Sequence, residues 1–215
     1  MKMKIQTETG FSDVRPSSPP KESAFVIQDF FAEKSDLQVW EAWLNGSEHA
    51  FASLYKRHID ALYRFGVQLC PDREVVKDCI QDLFVYLGEN ERKLPVQSVK
   101  AYLFKSLYRL LVKQQRKLKK QEGVGKYVEA DNFLLPDEGD EGEQAFMREK
   151  IAKVVGQLPR KQQEAFQLFY REGFTYDEIA EIMNVQQRHS VRKLVYKAVA
   201  FIRSNVTACL LYFVL

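Results

Sequence analysis

Apolar residues recur along this chain at steps of three and four, and short polar or Gly/Pro-containing breaks cut that recurrence into helices. The first stripe carries Leu37, Val39, Trp40, Trp43 and Leu44, with Asp36 expected as its cap and a stop at Asn45-Gly46. Ser47 suits the cap of a second helix, whose stripe is Phe51, Leu54, Tyr55, Leu62, Phe65 and Leu69. Pro71-Asp72 breaks that helix and opens a third, with Val76, Ile80, Leu83, Phe84 and Leu87 on one face. Beyond Pro95, Ser98 starts a fourth through Ala101, Leu103, Leu107, Leu110 and Leu111.

The pattern lapses and then resumes in the last third. Pro159 sits where a first helical turn tolerates it, before Ala165, Phe166, Leu168 and Phe169 and a stop near Gly173. Thr175-Tyr176-Asp177-Glu178 has the reciprocal spacing of a capping box and opens a short helix with Ile179, Ala180, Ile182 and Met183 inward. A turn at Asn184 leads into a long helix with Val191, Leu194, Val195, Ala198 and Ile202 inward. No useful length alternates with the period of two that strands require. The expected fold is all-α: two small helical domains joined by a flexible acidic linker.

Charge sharpens that division. Arg92, Lys93, Lys100, Lys105, Arg109, Lys113, Arg116, Lys117, Lys119 and Lys120 fall in a stretch without a single acid. Directly after it, Glu122, Glu129, Asp131, Asp137, Glu138, Asp140, Glu141 and Glu143 face only Lys126, among several glycines. The overall net charge of +3 averages over these opposed segments. Two readings of the acidic segment stand, a solubilising spacer and a shield over the basic block. The expected organisation is a disordered tail over 1–23, rich in Pro and Ser, a helical domain over 24–120, the linker over 121–146, a helical domain over 147–205 and an apolar tail over 206–215.

The 215 residues, 46% hydrophobic and 28% charged, have the balance of a soluble globular protein. Cys70, Cys79 and Cys209 form no CxxC pair and have no His at ligand spacing, so neither a zinc site nor a disulfide framework is expected. Free thiols and an N-terminus without the apolar core of a signal peptide suit the cytoplasm. The ten residues from Val206 to Leu215 are too few to span a bilayer as a helix. They read as a docked terminal element, or else as a tail that touches a partner or a membrane. His49, His58 and His189 are scattered, and no phosphate loop or nucleophile with a base stands out, so an enzyme is not expected and no cofactor or metal is implied.

A short capped helix, a tight turn and a longer helix with basic residues outward is the plan of a helix-turn-helix. Arg188, His189, Arg192, Lys193, Tyr196 and Lys197 interleave with the apolar stripe of the last helix. In such a unit they face the major groove, donating to guanine edges or phosphates. A solvated basic face on an ordinary helix is the bland alternative.

The run LPRKQQEAFQLFYREGFTYDEIAEIMNV, followed by SVRKLVYKA, resembles the promoter-reading C-terminal domain of extracytoplasmic-function (ECF) sigma factors. Upstream, EHAFASLYKRHIDALYRFG and DCIQDLFVYL resemble the N-terminal domain of that family, and KAYLFKSLYRLLVKQQRK resembles its core promoter-reading segment. The Gln81-Asp82-Leu83-Phe84 style is nearest to Bacteroidetes members. The resemblance implies a sigma factor whose partners are core RNA polymerase and promoter DNA, with a membrane-anchored anti-sigma factor as a further partner class. It assigns Asp78, Gln81, Asp82 and Phe84 to core polymerase binding, with Phe84 either an interface anchor or simply core. It assigns Lys100, Lys105, Arg109, Lys113, Arg116 and Lys117 to the minus-ten element, with rings at Tyr102, Phe104 and Tyr108. Arg188, His189, Arg192, Lys193, Tyr196 and Lys197 fall to the minus-35 element. Two departures stand out: Leu110 occupies a position where the family often has Asn, and the turn between Val185 and Val191 is one residue longer than the common pattern. The competing function is a stand-alone helix-turn-helix regulator, which needs neither the basic block nor the Asp78–Phe84 helix.

Overall fold

The protein is described here by a computed structural model covering residues 31–89, 96–121 and 151–214. The chain divides into two compact units, Met1–Glu33 and Lys34–Leu215. Everything below concerns the second. The tail over 1–23 and the linker beyond Gln121 lie outside the described residues. Every regular element among the described residues is helical: α1 (Asp36–Leu44), α2 (Glu48–Leu69), α3 (Arg73–Glu89), α4 (Val99–Gln121), α5 (Arg160–Tyr170), α6 (Tyr176–Ile182) and α7 (Arg188–Val214), with a further helical stretch over 151–156.

Local chemistry sets most of the ends. Ser35, not Asp36, caps α1: its hydroxyl accepts from Gln38 N while the Gln38 side chain returns to Ser35 N, and Asp36 becomes the first helical residue. Ser47 accepts from Ala50 N, Asp72 from Glu74 N and Val75 N, and Ser98 from Ala101 N, each satisfying a first-turn donor. Thr175 and Glu178 close the capping box expected at α6. Asn184 takes a φ of 53°, the left-handed conformation that turns the chain out of α6. Pro159 lies one position before the first residue of α5.

Helices α1–α4 pack around Leu54, Leu62, Val76, Ile80, Leu103, Phe104 and Leu107, all buried. Leu37 and Tyr55, which the periodicity placed in apolar stripes, are each 42% exposed. Helices α5–α7 enclose Leu168, Ile179, Ile182, Val191 and Val195. Val155 and Leu158 lie against Ala198, with Phe166, Phe201 and Ile202 alongside. The two groups meet where α4 lies against α6 and α2 touches α5. Phe104 sits in that seam, its ring 5.1 Å from Phe65 of α2 and 5.1 Å from Phe174, which precedes α6.

The first group also holds a buried histidine. His58 Nε2 lies 3.1 Å from Asp36 Oδ2, off the line of a good hydrogen bond, while Arg57 donates to Asp36 Oδ1 at 2.8 Å. Burial lowers the His58 pKa below its ordinary 6.5; Asp36 opposes that, and Lys100 and Arg57 reinforce it. The unfolded chain therefore takes up this proton more readily than the folded one. Stability is unaffected above pH 6.5 and is lost as pH falls from 6.5 through the lowered value. Denaturant titrations of the parent and of His58→Gln across that window are expected to show the loss in the parent and a flatter profile in the variant.

Gly66 marks a close approach of α2 to α3 in the same group. A Cβ there would sit 2.5 Å from Val76 Cγ1 of α3, a fully buried side chain. Overpacking of that kind costs about 1–3 kcal/mol, against roughly 1 kcal/mol of helix propensity gained on replacing Gly by Ala. Gly66→Ala is expected to be destabilising in thermal melts, and adding Val76→Ala to recover part of the loss.

Candidate nucleic-acid interface

The turn at Asn184 and the buried Val191, Val195 and Ala198 fix the rotation of α7 about its axis. Arg188, His189, Arg192, Lys193, Tyr196 and Lys197 then fall at steps that share one face, and all six are exposed. Helix α7 begins at Arg188, which settles where the long turn ends. Arg188 reaches Asp177 at 3.3 Å across the turn. The Arg192 guanidinium lies 5.2 Å from the centre of the Tyr196 ring and donates to its hydroxyl at 3.2 Å. Both contacts are exposed, so a phosphate can displace them at small cost.

Helix α4 is divided lengthwise. Arg109, Lys113, Arg116 and Lys117 are exposed. Lys100 and Lys105 are not open in the same way. Lys100 Nζ binds Glu172 Oε2 at 2.9 Å and Glu172 O at 2.8 Å, and lies over the Phe104 and Phe174 rings. Lys105 Nζ binds Glu181 Oε2 at 2.9 Å. Tyr108 donates to Glu164 Oε2 at 3.4 Å, and burial followed by that carboxylate pushes its pKa to about 12. Burial likewise raises the Glu164 pKa, with Arg160 pulling it back through a 2.9 Å contact.

The rings of α4 serve the core. Phe104 is fully buried, Tyr102 packs edge-on to Trp40, and Leu110 is half-buried. Between α4 and the α6 turn lies an open cleft of about 430 Å³, lined by Lys105 and Arg109 on one side and Glu181, Asn184 and Arg188 on the other. Its mixed charge does not favour an anion in this arrangement.

On α3, Asp78, Gln81 and Asp82 are exposed together. Phe84 is corrected to a core residue: it is 6% exposed and its ring lies edge-on to Tyr55 at 4.9 Å and Phe51 at 6.0 Å. It belongs with Ile80, Leu83 and Leu87, whereas the helical steps from Asp78 and Asp82 lead to Val85 and Tyr86. Those two are 48% and 55% exposed, so the apolar part of the acidic face was missed in sequence. Only the same three- and four-residue steps, counted from the acids rather than from the core, pointed to them.

Residues 148–202 match the family model described as Sigma-70, region 4. These residues form a Sigma-70 region 4 domain. The ECF RNA polymerase sigma factor SigM of Bacillus subtilis (strain 168) is 22% identical over 134 residues, 62% of this chain and 82% of that protein. The fold is similar to that of the sigma factor RpoE, solved with the anti-sigma factor NepR from Bartonella quintana, at a TM-score of 0.58 and 22% identity, covering 73% of this chain and 96% of that one. It is also similar to CnrH, solved with the cytosolic domain of CnrY, at a TM-score of 0.54 and 18% identity, covering 80% and 97%.

The exposed face of α7 generates a direct expectation for the full chain. Replacing both Arg192 and Lys193 by Ala is expected to leave the thermal melt within about 0.5 kcal/mol of the parent, as for most surface changes. DNA binding is expected to weaken by about 1–3 kcal/mol for each side chain that reads a base, and the salt slope to shrink by about one for each that binds a phosphate. Fluorescence anisotropy across a salt series separates the two roles.

Proposed function

We propose that this chain is an ECF-type sigma factor that binds core RNA polymerase, recognises promoter DNA and helps melt it to start transcription at chosen promoters. The observation that carries the reading is the helix-turn-helix of α6 and α7, with its six outward residues, inside the Sigma-70 region 4 match. Residues 147–205 are the minus-35 reader. Residues 24–120 are the region 2-like domain, with α3 facing the polymerase and the basic face of α4 facing the minus-ten element. The polymerase supplies the chemistry, and the chain acts in the cytoplasm without a cofactor.

Asp78, Gln81 and Asp82 supply polar and charged groups for a basic partner surface, and Val85 and Tyr86 supply the apolar area that Phe84 does not. A stand-alone regulator would leave that face without a use. An anti-sigma factor, membrane-anchored, is the further partner class; the sigma factor RpoE was solved with the anti-sigma factor NepR, and CnrH with the cytosolic domain of CnrY. The Gln81–Phe84 style is read as that of Bacteroidetes members. No described helix is long and apolar enough to cross a membrane.

The test is a pull-down with core polymerase. Asp78→Lys with Asp82→Lys is expected to weaken capture about tenfold or more, since like charges forced together at an interface cost on the order of several kcal/mol. An unchanged melt would exclude misfolding. Full retention of affinity by the double variant removes α3 as the polymerase face.

A further inference from the structure

Arg188 and Arg192 both stand on the outward face of α7, and they are held differently. Arg188 lies 3.3 Å from the Asp177 carboxylate, which offsets its charge. Arg192 is held by a neutral partner one turn further on. Its Nη2 donates to the Tyr196 hydroxyl at 3.2 Å, and the guanidinium carbon lies 5.2 Å from the centre of that ring. This contact occupies one guanidinium donor of several and leaves the positive charge whole. Tyr196 is 56% exposed, so its ring is not there to fill the core. A second ring stands close by: the Tyr176 hydroxyl is near enough to act on the Arg192 charge, after the larger effect of Tyr196. Tyr176 opens α6 behind the Thr175 cap, and its ring stacks on Phe169 at 4.7 Å with 8° between the planes. Phe169 is in turn edge-on to Tyr170 at 5.1 Å. Arg192 thus waits beside rings fixed from α6 and from its own helix.

We propose that Tyr196 is the positioning residue of the α7 face: it holds the Arg192 guanidinium in one orientation, so that Arg192 reads a guanine edge while Lys193 and Lys197 bind phosphates. The proposal rests on the reading of α7 as the minus-35 helix. Guanine presents O6 and N7 side by side in the major groove, and the planar guanidinium fork matches that pair of acceptors. A free arginine loses rotamer freedom when it docks, and a ring that has already ordered it removes part of that cost. A lysine is a compact charge on a flexible stem, suited to a phosphate, which carries no sequence information. The contact between Arg192 and Tyr196 is exposed and adds little to stability. Its effect is on the choice between bases, because it fixes where the guanidinium waits before the duplex arrives.

The test uses the full chain and a duplex that it selects from a randomised library, with binding read by anisotropy. Each guanine of that duplex is replaced in turn by 7-deazaguanine, which lacks the N7 acceptor but pairs normally. At one position the parent is expected to lose about fivefold or more, the low end for a bidentate base contact. Arg192→Ala is expected to abolish that penalty. Tyr196→Leu is expected to shrink it about threefold, the scale of an exposed cation–π contact, with the salt slope unchanged because no charge is lost. Tyr196→Phe, which keeps the ring, is expected to restore most of it. Lys193→Ala is expected to keep the penalty and to lower the salt slope by about one. Arg192, Lys193 and Tyr196 are all exposed, so each variant is expected to melt with the parent. A Tyr196→Leu chain that keeps the full penalty overturns the positioning role, and so does one that loses affinity equally for the guanine and 7-deazaguanine duplexes. A penalty that survives Arg192→Ala overturns the base contact. A library that yields no preferred duplex, or one with no sensitive guanine, overturns it as well; the sigma-factor reading is then judged separately by capture of core polymerase.

Discussion

Phe104 is the residue on which both halves of the molecule depend. It is fully buried between Phe65 and Phe174, so one side chain of α4 is shared by the core of the first helix group and the edge of the second. Burying an aromatic ring of this kind is worth about 1.5–3 kcal/mol, and edge-on partners add roughly 0.5–1.5 kcal/mol. The position of that ring also decides where Lys100 goes. Four residues earlier on the same helix, its ammonium lies over the Phe104 and Phe174 rings and within reach of Glu172. A basic helix laid on an aromatic seam thus becomes an ion-paired one.

The two basic faces are consequently in different states. On α7 the cations stand outward, with only exposed neighbours such as Asp177 and Tyr196, and their field is open to a duplex. On α4 the outward set is Arg109, Lys113, Arg116 and Lys117, while the inward set is neutralised by carboxylates. The same residue types therefore do two jobs on one helix: some face solvent and others cement a seam. Burial is the discriminator. A carboxylate with a 7% exposed side chain, as at Glu172, requires a cation, whereas a pair as exposed as Arg188 with Asp177 contributes little.

The α3 face follows from the same periodic geometry. Phe84 turns inward with Ile80, Leu83 and Leu87, so it completes the core with Phe51 and Tyr55. The outward row of Asp78, Gln81, Asp82, Val85 and Tyr86 mixes charge with exposed apolar area, the composition of a docking rim around a small hydrophobic centre.

Helix positions, most caps and the identity of the α7 face were legible in the sequence, because they depend on residues within four positions of one another. The Thr175–Glu178 box and the spacing of Val191, Val195 and Ala198 are such local facts. Ser35 taking the cap from Asp36 was a choice between adjacent residues, settled by which hydroxyl or carboxylate reached the first free amide. The partners of α4 were of another kind. Lys100 and Glu172 are 72 positions apart, Lys105 and Glu181 76, and Tyr108 and Glu164 56. No periodicity links such pairs; they meet only because two helix groups, each with its own apolar stripe, also share the Phe104 seam. Sequence determined that α4 would be basic and α7 would present cations outward. Only the packed structure decided which of those cations stay in water, because that depends on what the apolar surfaces bring into contact with them.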